Sequence, residues 1–88
     1  MANVAMETFE EAEAGPASPD ALYQLGLMYA LGRGVAQDNV TAHKWFILAA
    51  TQGDARARAE RELIAAEMSR DEVVEAQKLA RAWVTRVH

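Results

Sequence analysis

The sequence predicts an all-α fold of about five antiparallel helices in one small domain spanning residues 1–88. Three observations carry that prediction. Apolar residues recur at the three- and four-residue spacing of a helical face, small residues sit inside those faces, and helix caps punctuate the chain between them.

The first helix is expected over residues 4–14, where Ala5, Phe9 and Ala12 share one face and Gly15-Pro16 ends the run. Ser18-Pro19-Asp20 then supplies an N-cap serine and a proline at the first helical position. Leu22, Leu25, Met28 and Tyr29 line one face of that second helix. Gly26 lies within the same face, where a glycine costs roughly 1 kcal/mol relative to alanine. The cost is intelligible if another helix approaches so closely that nothing larger fits. Gly32 stops the helix in the left-handed C′ conformation. The next helix starts near Asp38, offers Ala42 and Ala49 as small surfaces with Phe46 leaning between them, and ends at Gly53.

After Gly53 the pattern weakens. Ala59 and Leu63 echo Ala21 and Leu25, but Ile64 and Ala65 stand in place of the Gly-Leu pair, and Glu67 falls where Tyr29 would be. Ser69-Arg70-Asp71-Glu72 is a capping box that opens the last helix. That helix carries Val73, Ala76, Ala80, Trp83, Val84 and Val87 on one face, and Trp83 belongs in the core with Ala76 and Ala80.

Residues 21–53 resemble the Sel1-like repeat, a relative of the tetratricopeptide repeat with a longer Gly-rich loop. The matching residues are Ala21, Leu25, Gly26 and Tyr29, then Gly32, Gly34, Val35, Gln37 and Asp38. The second helix adds Ala42, Trp45, Phe46, Ala49, Ala50 and Gly53. Ala36 stands where the family often has proline, Asn39 where it has an aromatic residue, and Leu31 where it is frequently polar. The resemblance implies a short right-handed α/α solenoid: a degenerate helix at 4–14, a full repeat at 19–53 and a divergent capping helix pair at 54–88. It also implies a concave side lined by first helices, on which Tyr23, Leu27, Ala30 and Leu31 would receive a partner peptide or helix. Leu27 and Leu31 have two readings, an apolar anchor on that side or packing under the first helix.

Composition fits this reading. A chain of 88 residues buries about 60–65 % of its unfolded surface. It is 51 % hydrophobic with 7 % aromatics, so alanine supplies much of the apolar share, as close helix packing requires. The longest apolar run, Trp45–Ala50, is far short of the ~18 residues of a membrane span. Arg33 is the first basic residue, so a signal peptide is not expected. The absence of cysteine fits a reducing compartment, and the cytoplasm is the expected location.

Charge is unevenly placed. The first 20 residues hold Glu7, Glu10, Glu11, Glu13 and Asp20 without a basic residue, whereas the remaining 68 carry a net +1. The four glutamates read as the wet face of an amphipathic helix before they read as a surface steering a basic partner. Basic residues are interleaved with acids elsewhere, which argues against nucleic-acid binding.

No catalytic, cofactor or metal site is expected. Gly32-Arg33-Gly34 follows a helix and lacks the Lys-Ser/Thr of a phosphate loop. His43 follows Ala42 toward the exposed side of its helix and is 45 residues from His88, the other histidine. Neither has a second ligand at metal spacing. Ser18 and Ser69 are accounted for as caps.

The functional expectation is a non-enzymatic protein–protein interaction module, an adaptor, assembly factor or small accessory subunit. The alternative is a self-associating homodimer. Both follow from repeat arithmetic, since stacked units usually need about three copies and this chain has one full unit with partial flanks. A small-ligand binder or enzyme using the interhelical groove stands third, for want of convergent polar groups.

Overall fold

The computed structural model describes residues 17–87, and the helix expected at 4–14 and His88 lie outside them. Among the described residues the chain is all-helical, with four helices and no strand. They are α1 (Pro19–Leu31), α2 (Asn39–Thr51), α3 (Ala55–Ala65) and α4 (Arg70–Val87). The expectation of five helices is therefore matched by four here, the fifth falling on the segment outside the description.

Local sequence sets each start. Ser18 accepts the Ala21 N–H at 3.0 Å, with Pro19 in the first helical position. Asp38 accepts the N–H groups of Val40 and Thr41 at 3.0 and 3.2 Å and also takes the Thr41 hydroxyl at 2.8 Å. Asp54 accepts the Ala57 N–H at 3.0 Å. Ser69 and Glu72 exchange reciprocal bonds, Ser69 N–H to Glu72 Oε1 at 2.7 Å and Glu72 N–H to Ser69 Oγ at 3.1 Å. Each satisfies backbone donors that the first helical turn leaves without carbonyl partners.

The α1–α2 turn is closed by backbone. Gly32 takes φ of 69°, where a side chain would be strained, and the Arg33 N–H donates to the Met28 carbonyl at 2.9 Å. The Asp38 N–H then reaches back to the Tyr29 carbonyl at 2.9 Å, so that α2 starts beside the end of α1. Gly34 and Gly53 also have positive φ.

The second helix is the hub. It packs against α1, α3 and α4, and α3 and α4 make their main contacts with it rather than with each other. Seven of its residues are buried: Ala42, His43, Trp45, Phe46, Leu48, Ala49 and Ala50. A helix apolar around most of its circumference is one enclosed by neighbours. From α1, Leu22, Leu25 and Gly26 pack onto it, while Tyr29 is half-buried at the edge of the core. From α4, Trp83 meets Trp45 edge-on with centroids 6.0 Å apart, and Ala76 and Ala80 are buried on the same face.

One expectation is corrected by this packing, and one sequence echo is not matched in burial. His43 does not face solvent; it is 2 % exposed, because the sides of α2 flanking α1 are themselves covered. Leu63 echoes Leu25 in sequence but not in burial. It is 65 % exposed against 7 % for Leu25, and Ile64 and Ala57 are the buried residues of α3.

Candidate protein-interaction groove

Helices α1 and α3 both rest on α2 and barely touch one another. Between them lies an open groove of about 340 Å³. Ala30 of α1 forms one wall, Asn39 and Phe46 of α2 form the floor, and Ile64 and Leu63 of α3 form the other wall. Glu60 of α3 and Glu67, in the turn that follows its last residue, also line the groove. Leu63, between them, projects from the wall with most of its surface in solvent.

A polar clamp fixes α3 beside α1. Arg56, in the first turn of α3, gives both Nε and Nη2 to Asp54 at 3.2 and 2.7 Å, and its Nη2 also reaches Asp20 at 2.8 Å. Its guanidinium lies 4.1 Å over the Tyr23 ring, and that ring packs against Phe46 with centroids 6.1 Å apart. A cation at a helix N-terminus opposes the helix dipole, and two carboxylates at the starts of α1 and α3 offset it here. The hydrogen bonds from Arg56 hold the Asp54 carboxyl below its ordinary range, and the same contacts raise the arginine above its own. The clamp is long-range, joining residues 36 positions apart.

A second groove of about 300 Å³ runs between α2 and α4, walled by Ile47, Leu48, Ala80 and Val84. Among the described residues there is no cluster of three or more His, Asp or Glu placed to hold a metal, and no helix long and apolar enough to cross a membrane. His43 is held neutral by burial, reinforced by the nearby Arg61 charge, and its Nδ1 has no hydrogen-bond partner among the described residues.

The helix–Gly turn–helix geometry of α1 and α2 can be set against known families. The model of the Sel1 repeat matches residues 19–54. This stretch is similar to a Sel1 repeat. No curated protein and no solved structure matches the chain. Sel1 repeats generally mediate protein–protein interaction, and the repeat here contributes α1, the floor of the groove and, at its last residue, the Asp54 cap of α3.

The four residues expected on the binding side of the Sel1 repeat are dispersed. Ala30 lines the groove. Tyr23 is half-buried under Arg56, and Leu27 is half-buried against the core. Leu31 is 56 % exposed at the C-terminal end of α1. Of the residues given structural roles, Leu25, Gly26, Ala42, Phe46 and Ala49 are buried, Tyr29 is half-buried, and Gly32, Gly34 and Gly53 have positive φ. The contribution of α3 was missed. Glu60, Leu63, Ile64 and Glu67 follow an i, i+3, i+4, i+7 spacing, and that spacing is the signal that could have found this wall.

Proposed function

We propose that the chain is a non-enzymatic protein–protein interaction module that receives a partner peptide or helix in the groove between α1 and α3. The observation that carries this is a ready-made groove with an exposed leucine, Leu63, on one wall among the described residues. Exposed apolar side chains rimmed by polar groups mark interaction sites. A groove between helices suits a helix or extended segment laid along it. Adaptor, assembly factor or accessory subunit are the roles that fit, in the cytoplasm. Ala30 lines the groove, and Leu31, the next residue, is exposed at the end of α1.

Paired affinity captures with the wild type and with Leu31→Asp and Leu63→Asp test this. Both variants should keep their helicity and melting temperature and lose the same captured proteins. Captured proteins that persist in both variants would remove the groove as the site.

Self-association is the second reading. The α2–α4 groove and the exposed Val74, Leu79 and Val84 of α4 are the observation that favours it.

A further inference from the structure

We infer that the groove between α1 and α3 takes a segment of a partner protein in which an apolar side chain is flanked by Lys or Arg. The inference rests on the groove reading above and adds the chemistry of the occupant. Glu60 of α3 and Glu67 of the turn that follows it flank Leu63 in sequence, and they are the charged residues among those lining the groove. Cations on both sides of an apolar residue occur on one face of an amphipathic helix or along an extended segment.

Arg56, one turn before Glu60, does not neutralise the rim. Arg56 is spent on Asp54 and Asp20. Leu63 can reach an apolar partner above Ile64, Ala30 and Phe46, so the rim selects charge and the centre supplies buried area. The chain's own residues 1–16 are a poor occupant, since Glu7, Glu10, Glu11 and Glu13 carry the same sign as the rim and no cation accompanies them. The same argument disfavours that segment of a second copy.

The test is panning of a display library of random 16-residue peptides against the full chain. The enriched peptides are then measured by fluorescence anisotropy on the wild type, on Leu63→Asp and on the double variant Glu60→Gln/Glu67→Gln. The melting temperature of each variant is checked first. Peptides enriched in an apolar residue flanked by Lys or Arg, weakened at least tenfold by both variants and by 0.5 M salt, support the inference. Enriched peptides that lose binding to Leu63→Asp but are neutral or acidic, or bind the double variant unchanged, overturn the basic partner and leave the groove reading intact. An absence of enrichment, or enriched peptides that bind Leu63→Asp as tightly as the wild type, overturns both.

Discussion

Phe46 of α2 occupies the space that any side chain on Gly26 of α1 would need. A Cβ at position 26 would lie 2.5 Å from Phe46 Cδ1 and 2.9 Å from its Cζ. The ring is 1 % exposed and packed against Tyr23, so it has little room to withdraw. The unfavourable helix propensity of a glycine in mid-helix is therefore repaid by a close α1–α2 contact.

Gly26→Leu should overpack this contact and cost about 1–3 kcal/mol or more, read as a lower urea midpoint. The same substitution in a Phe46→Leu background should cost less, because the smaller side chain vacates part of the space. Equal costs in the two backgrounds would mean that the helices do not meet at these residues.

Trp83→Ala should be the most damaging single change in α4. The indole is 5 % exposed and meets Trp45 edge-on. Truncation of a buried tryptophan removes about 3–5 kcal/mol, a large part of what a domain of this size has. Thermal unfolding followed by the fluorescence of Trp45 reads the loss. A shift of a degree or two would show α4 to be an accessory to the fold.

The Arg56 clamp predicts an acid limb with a definite sign. Asp54 has a folded pKa below its ordinary 3.8, so its contribution is complete above that value and is lost as pH falls through the depressed folded pKa. Arg56→Ala should lower the melting temperature at pH 7 and flatten the further loss under acid. Melting curves between neutral and acid pH check both; an unchanged acid limb would remove the clamp as its source.

His43 predicts a second pH dependence, at milder acidity. Burial depresses its pKa below 6.5. Its neutral form is therefore fully compatible with the fold above that value, and stability declines as pH drops from 6.5 toward the folded pKa. His43→Leu should remove this decline, since His88 is common to both proteins. A wild-type melting temperature independent of pH between 7.5 and 5.5 would contradict the account.

The legible part of the fold was local. Ser18, Asp38 and the Ser69–Glu72 pair declare themselves because a cap needs a given side chain at a given offset, whatever the tertiary structure. The all-helical class follows from the same signals. What depends on how many neighbours a helix has was not legible. His43 looked exposed because one face of α2 was assigned to the core, whereas three helices enclose it. In α3 the apolar residues are too sparse to fix a register, and the spacing echo of Leu25 at Leu63 does not reveal that Ile64 is the buried residue. Arg56 gave no sign of its bond to Asp20, which depends on how α3 docks beside α1. The groove shares this origin, since its walls come from two helices that hardly touch.

Light scattering on the chain from micromolar to near-millimolar concentration tests the central claim, that the α1–α3 groove is left open for a different protein. A constant mass of 9.6 kDa, the same for the wild type and Leu63→Asp, is the predicted result. A concentration-dependent dimer that Leu63→Asp returns to monomer would contradict it, because a second copy would then fill the groove.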